Sequence, residues 1–166
     1  MPLPSGPSAV RPARAPVIAP TAVVMPGSGD YVPVVRQWIG ALPATAGYPG
    51  GELELAAAEL FTNAVRHSRS GDTGGQATVI VATGARGAVI HVHDQGAGAG
   101  QVPHIKAQRA AGLRQSGRGL HIIEAISVHW AAGPAARCPQ APPDDPAVAA
   151  GGCCVWCHIA PGTASP

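Results

Sequence analysis

The stretch ELFTNAVRHS, Glu59 to Ser68, places a carboxylate and a carboxamide four residues apart in an apolar, alanine-rich segment. The segment YPGGELELAAAELFTNAVRHSRSGDTGG begins with turn signals, continues with strong helix formers and stops at Gly71, so it predicts a helix. Residues four apart on a helix differ by only about 40° in direction, so Glu59 and Asn63 share a face, with His67 next along it. Burying such groups unpaired costs on the order of a few kcal/mol, so the pair indicates a ligand.

The length and composition predict a single domain. The chain has 166 residues, enough for one domain with a hydrophobic core. We expect a flexible tail over residues 1–16, one domain over 17–160 with a mobile Pro/Ala-rich insertion over about 131–152, and a second tail over 161–166. No apolar run approaches the roughly 18 residues needed to cross a bilayer, and the N-terminus lacks the pattern of a signal peptide. We therefore expect a cytoplasmic protein with reduced cysteines, and no membrane partner.

Short patterns predict the remaining elements. VIAPTAVVMPG indicates an edge strand, because its prolines forbid a central one. SGDYVPVVRQWIGAL predicts a helix with Ser28 or Asp30 as N-cap, and LHIIEAISVHW predicts a further helix. QATVIVATG and AVIHVHD predict a hairpin, and CCVWCHIA a final strand. The net charge of +2 comes without a basic stripe with interleaved aromatics, which argues against nucleic acid as the direct partner.

Glu59 and Asn63 have side chains suited to metal and proton chemistry. An amide oxygen can ligate Mg²⁺, which usually keeps waters and binds substrate phosphates as well, so Asn63 is a candidate metal ligand. Glu59, one turn earlier, would lie near a γ-phosphate and could accept a proton from an attacking hydroxyl or water. The alternative is a helix face that reaches solvent, with Asn63 satisfied locally.

Two glycine-containing stretches downstream predict the rest of a nucleotide site. Asp94 ends a predicted strand and is followed by Gly96 and Gly98, so its carboxylate could accept a hydrogen bond from an exocyclic amine while backbone approaches a flat ring. SGRGL would present backbone N–H groups at a helix N-terminus, where anions bind. The loop from Gln95 to Gly119 contains no acid and four cations, which would attract a polyphosphate: Lys106, Arg109, Arg114 and Arg118. Asp94 could instead cap a turn, and the cations could form a solvated surface.

The order of these motifs resembles a known family. ELxTNAxRH, then D-x-G-x-G, then GRGL, then a terminal Val-Trp strand is similar to the Bergerat-fold ATP-binding module of gyrase, the heat-shock chaperone and histidine kinases. The chain more closely resembles the single-domain anti-sigma factor serine/threonine kinases of bacteria, over roughly residues 20 to 160. The resemblance implies an α+β fold: a two-layer α/β sandwich whose mixed, mostly antiparallel sheet has helices on one face.

The resemblance also implies roles for individual residues. Asn63 would hold Mg²⁺, Glu59 would be the catalytic base and Asp94 would bind the adenine amino group of ATP. Gly96 and Gly98 would border the adenine, and the GRGL residues would contact the phosphates: Gly117, Arg118, Gly119 and Leu120. Members of this family commonly form homodimers, bind a sigma factor, and in some cases phosphorylate a serine of an antagonist protein. A non-catalytic module that binds a partner in response to nucleotide is the alternative.

The cysteines and histidines allow other interpretations. Where the family has a small hydroxyl residue before the Val-Trp pair, the sequence has Cys154, a weaker hydrogen-bonding group. CVWCH fits the C-x-x-C-H pattern of haem attachment, and the cysteines could serve redox or zinc chemistry, but buried strand cysteines in a reduced compartment are the simpler interpretation. His91 and His93 share one strand face without a visible third ligand, so we expect them to serve in packing rather than metal binding.

Overall fold

The described part of the chain forms a sheet of five antiparallel strands. The computed structural model describes residues 19–48, 51–97 and 118–161. The strands are β1 (Thr21–Pro26), β2 (Gln76–Gly84), β3 (Gly87–Asp94), β4 (His129–Pro134) and β5 (Cys153–Ile159). Their order in the sheet is β1-β2-β3-β5-β4. All four pairings of described strands are antiparallel. The predicted α+β sandwich is therefore confirmed, and its sheet is antiparallel throughout the described part rather than mixed.

Among the described elements, three helices cover one face of the sheet. They are α1 (Val32–Ala41), α2 (Glu52–His67) and α3 (Arg118–Ile126). The first two lie within the segments predicted as helices, but Ser28 caps a 3-10 turn (Gly29–Tyr31) that precedes α1, and α2 ends at His67 rather than at Gly71. Val35 and Ile39 of α1 and the alanine-rich face of α2 pack on the alternate residues of β2, β3 and β5 that point toward them. Because successive side chains of a strand point to opposite faces, the other half of each strand faces away from this core.

The hairpin and the edge strand also follow the sequence prediction. β2 and β3 are joined by Ala85 and Arg86 alone. Gly87, which follows them, has φ +133°, and a Cβ atom there would lie 2.2 Å from the carbonyl oxygen of Ile159, so only glycine fits this turn against β5. β1 lies at an edge of the sheet and ends on Pro26, which has no N–H to donate to a neighbouring strand.

The region after α3 differs from the prediction. The helix expected to reach Trp130 ends at Ile126, where the Ser127 hydroxyl donates to the carbonyl oxygen of Ile123 at 2.6 Å. The Val128 N–H then donates to the carbonyl oxygen of His158, which starts the pairing of β4 with β5. The segment after the helix gains a ladder of hydrogen bonds because it can pair with β5. The helical periodicity of its sequence does not reveal this pairing.

The segment predicted as a mobile insertion forms defined structure. Residues 131–134 belong to β4, and a 3-10 turn (Ala135–Arg137) and the short helix α4 (Pro146–Ala149) follow. Asp145, the N-cap of α4, is only 2% exposed, and its carboxylate accepts a hydrogen bond from the Thr78 hydroxyl of β2 at 2.9 Å. Because Thr78 points away from the helices, this segment lies on the face of the sheet opposite α1, α2 and α3.

Candidate functional site

The end of α2 and the end of β3 meet at one corner of the molecule. After α2, the backbone N–H of Arg69 donates to the carbonyl oxygen of Gly96 at 2.9 Å, and the N–H of Gln95 donates to the Ser70 hydroxyl at 2.9 Å. The Arg69 guanidinium also donates to the Gln95 carbonyl oxygen at 2.7 Å. These bonds tie the helix that bears Asn63 to the strand end that bears Asp94. The end of the helix and the end of the strand that bear the two predicted ligand-binding residues are therefore held together.

Asp94 is a buried carboxylate at the end of β3. It is 8% exposed, and its Oδ1 accepts a hydrogen bond from the N–H of Gly96 at 2.7 Å. Burial raises the pKa of Asp94, while hydrogen bonds from the backbone of Gly96 and Cys153 and the nearby His93 act to lower it. Gly96 has φ +74°, the left-handed region that favours glycine, and this turn brings its N–H back onto the carboxylate. An acceptor held in this way suits an exocyclic amine.

Glu59 and Asn63 lie on the half-buried side of α2, and Glu59 meets the start of α3. A Cβ atom built on Gly119 would lie 2.8 Å from the Glu59 Oε2 atom. In its present position the carboxylate therefore lies against the N-terminus of α3, and a side chain at position 119 would displace it. In the part of the chain that the structure describes, neither Glu59 nor Asn63 has a side-chain hydrogen bond, so the oxygens of both are available to a ligand.

The thiol beside Asp94 is that of Cys153, not Cys154. The strand register pairs Asp94 with Cys153 and His93 with Cys154, so the Cys154 side chain points to the opposite face. Burial raises the pKa of the Cys153 thiol, and the charge of Asp94 raises it further. The assignment of Cys154 to the adenine end of the site is thus corrected by one residue, because a shift of one position in a strand reverses the face.

Part of the predicted site lies outside the described residues. Gly98 and Gly117 fall in the undescribed range 98–117, together with three of the four cations of the basic loop. Arg118 begins α3, and its side chain is not described. Leu120, in the first turn of that helix, is half-buried. The described half of the site therefore consists of α2, the end of β3 and the start of α3.

A second polar group lies on the opposite face of the sheet. The ligand atoms of four side chains lie within 4.8 Å of one another: His91, His93, Cys138 and Cys154. The sequence offered no third ligand for the two histidines, because Cys138 belongs to the segment after β4 and is 47 residues from His91. No local spacing in the sequence connects these four residues. They come together because β3 and β5 pair in this register and because the segment after β4 packs back onto the sheet.

The C-x-x-C-H pattern does not form a joint site. Cys154 and Cys157 are three residues apart on β5, so their side chains point to opposite faces. Cys157 is fully buried in the helix-facing core, and burial raises its pKa to about 12, as expected of a thiol in apolar surroundings. Cys157 and Cys154 are therefore both buried strand cysteines, as we predicted, but Cys154 lies on the opposite face, near His91.

The fold is an α+β sandwich in which a helix-borne Asn and a strand-end Asp belong to neighbouring elements, α2 and β3. The sequence matches the family model of the histidine kinase-like ATPase domain over residues 25–138, which is more than half of the chain. The chain therefore belongs to the histidine kinase-like ATPase domain family. A comparison with curated proteins gave no match. None of the helices in the described ranges is long and apolar enough to span a membrane.

The described residues fit the ligand that the family implies, which is ATP. Asp94 offers a buried acceptor for the adenine amine, and Gly96 keeps the adjacent backbone free of a side chain. Gly119 leaves room at the start of α3, where backbone N–H groups without partners in the helix favour an anion. The half-buried Asn63 lies on the same helix face as Glu59, between these two ends.

Proposed function

We propose that this protein is a regulator of the anti-sigma factor type that binds Mg-ATP and phosphorylates a serine or threonine of an antagonist protein. The observation that carries the proposal is the contact between the Glu59 carboxylate and Gly119 at the start of α3. It supports a carboxylate at the phosphate end of the nucleotide, where a hydroxyl would attack. The sequence resemblance supports the same assignment.

Each residue has a distinct role in this proposal. Asp94 accepts a hydrogen bond from the adenine amine and fixes the orientation of the nucleotide. Asn63 supplies an amide oxygen to Mg²⁺, and the backbone of Arg118 and Gly119 donates hydrogen bonds to the phosphates. Bound Mg-ATP supplies the transferable γ-phosphoryl group. Glu59 accepts the proton of the partner's hydroxyl, a contribution that is typically 10²–10⁴-fold for a well-placed general base.

The partners and location remain part of the proposal. A sigma factor, an antagonist protein, or both would bind the protein in the cytoplasm, and a second copy of the chain would form a homodimer, as in the proteins that this sequence resembles. The exposed Val34 of α1 and Val24 of β1 are apolar positions on the described surface that a protein partner could cover.

The test compares phosphotransfer with ATP binding in one variant. We expect Glu59→Gln to lower transfer of radiolabelled phosphate to the co-purifying antagonist about 10²–10⁴-fold while ATP affinity stays within a few fold. Glu52→Gln is the matched control, because Glu52 is an exposed acid in the first turn of the same helix. Phosphotransfer by the Glu59→Gln protein at the wild-type rate would rule out Glu59 as the general base.

The alternative, a non-catalytic nucleotide-dependent binding module, gives a different result. It predicts saturable ATP binding without transfer by the wild type, and no difference between Glu59→Gln and Glu52→Gln. Gly119→Ala sharpens the choice, because the new methyl group would displace the Glu59 carboxylate, a flexible side-chain end, and leave the helix itself in place. A kinase should lose transfer in this variant, whereas a module should lose only phosphate affinity.

A further inference from the structure

We propose that His91, His93, Cys138 and Cys154 bind a zinc ion on the sheet face opposite the nucleotide site. His91 and His93 lie two residues apart on β3, and Cys154 lies beside His93 on β5. Cys138 follows the 3-10 turn after β4. Two thiolates and two imidazoles are the donor set of a common structural zinc site.

The distances fit a tetrahedral ion. In such a site a nitrogen and a sulfur ligand lie about 3.5 Å apart, given bonds of roughly 2.0 Å and 2.3 Å to zinc. The His91 Nδ1 atom lies 3.4 Å from the Cys138 Sγ atom and 3.6 Å from the Cys154 Sγ atom. A group of side chains packed only as neighbours has no reason to adopt this spacing at several atoms at once.

The orientation of His93 supports the site independently. The imidazole is fully buried, and its Nδ1 atom lies 2.5 Å from the Oδ2 atom of Asp145. Its Nε2 atom is buried and has no hydrogen-bond partner among the described residues. A carboxylate on one ring nitrogen fixes the tautomer and directs the lone pair of the other nitrogen toward a metal.

Asp145 is itself held in place. Its Oδ1 atom accepts hydrogen bonds from the Thr78 hydroxyl and from the N–H of Ala147, both at 2.9 Å. This arrangement resembles the outer shell of protein zinc sites, where the carboxylate behind a histidine is also hydrogen-bonded. The residue therefore has a positioning role, and its partners come from β2 and α4.

The donors also decide which ion is expected. Sulfur and nitrogen ligands disfavour Mg²⁺ and Ca²⁺, which prefer oxygen. Two thiolates and two neutral imidazoles balance the charge of Zn²⁺, and four protein ligands leave no open position, which is typical of a structural site. A groove of about 940 Å³ that includes His91, Cys138 and Cys154 among its lining residues gives the ion a route to the site.

The ion would fasten the segment after β4 to the sheet. Cys138 is the one proposed ligand outside the strands, and Asp145 is the one outer-shell carboxylate on the same segment. Both would hold this segment against the face that the helices do not cover. The site would therefore stabilise the fold rather than take part in the chemistry of the nucleotide.

The experiment measures zinc in the full-length protein and in cysteine variants. We expect about one zinc per chain in the wild type by mass spectrometry of the metal, and background zinc in Cys138→Ser. Cys138 is half-buried on a surface segment, so its replacement should leave the helix-facing core intact. Cys157→Ala is the matched control, because it removes a thiol from the other face of the same sheet and should retain zinc.

A second measurement uses the wild type alone. Cobalt added to the chelator-treated protein should give thiolate-to-cobalt charge-transfer absorption and the intense visible bands of a tetrahedral site, and zinc should abolish both. The proposal fails if Cys138→Ser retains the wild-type zinc content, if the purified protein holds a different metal in this site, or if cobalt gives no thiolate absorption. The cobalt spectrum decides the matter even if the variant fails to fold.

Discussion

The two faces of the sheet carry polar groups that differ in how they are assembled. On the helix-covered face, the nucleotide residues come from short motifs, each on one element, and the sheet and helices bring the motifs to one corner. On the opposite face, the proposed zinc ligands come from two strands and a loop, and no sequence motif contains the four of them. The first site could be found from the sequence, whereas the second appears only in three dimensions. The predictions below test whether the two faces are as independent as this difference indicates.

The largest expected change in the affinity for a ligand is the loss of ATP affinity in Asp94→Asn. The substitution replaces an acceptor with a donor toward the adenine amine, and a hydrogen bond to a charged group contributes about 1.5–3 kcal/mol, or roughly 10- to 150-fold in affinity. Calorimetric titration with Mg-ATP measures it. Zinc content should not change, although Asp94 is adjacent to His93. A loss of zinc together with ATP would mean that the two faces are coupled.

The converse variant is Asp145→Asn, which keeps the shape of the side chain and removes its charge. We expect zinc affinity to fall about 10- to 100-fold, because the carboxylate behind His93 fixes the orientation of the imidazole. Competition with a chromophoric chelator gives the affinity. ATP affinity should match that of the wild type. An unchanged zinc affinity would show that Asp145 serves only to cap α4.

Removal of zinc should destabilise the segment after β4, on the face of the sheet opposite the helices, more than the helix-covered face. Hydrogen exchange measured with and without a chelator should become faster in residues 135–149, which the site fastens to the sheet, and should change little in α2, which packs in the apolar core. The Cys138→Ser protein should exchange in this segment like the chelated wild type. Equal acceleration in α2 would mean that the ion supports the whole fold.

The smallest expected effect is an increase in ATP affinity. Cys153→Ser should bind ATP roughly 2- to 10-fold more tightly, because a hydroxyl hydrogen-bonds better than a thiol and this side chain lies beside Asp94. Cys154→Ser is the matched control, since the next residue points to the opposite face and should leave ATP affinity unchanged. A gain in Cys154→Ser instead would mean that the register of β5 differs from the one described.

Several features of the nucleotide site could be predicted from the sequence because they depend on local order. The periodicity and capping of α2 predict that Glu59 and Asn63 share a face, and the hairpin pattern predicts that Asp94 ends a strand. The boundary of α3 could not be predicted in the same way. The residues His129–Pro134 have no strong strand signal, and their pairing with β5 decides their structure.

The sequence by itself determined the family, the helices of the nucleotide face and the candidate residues for ATP binding, because each of these depends on side chains within a few residues of one another. Only the tertiary structure decided that Cys153 rather than Cys154 lies beside Asp94, and that Cys138 lies next to His91 and His93. The physical reason is that the register of paired strands, and the packing of the segment after β4 against the sheet, depend on contacts between segments that are distant in sequence. A single residue of register assigns a side chain to one face or the other, and no local pattern records that choice.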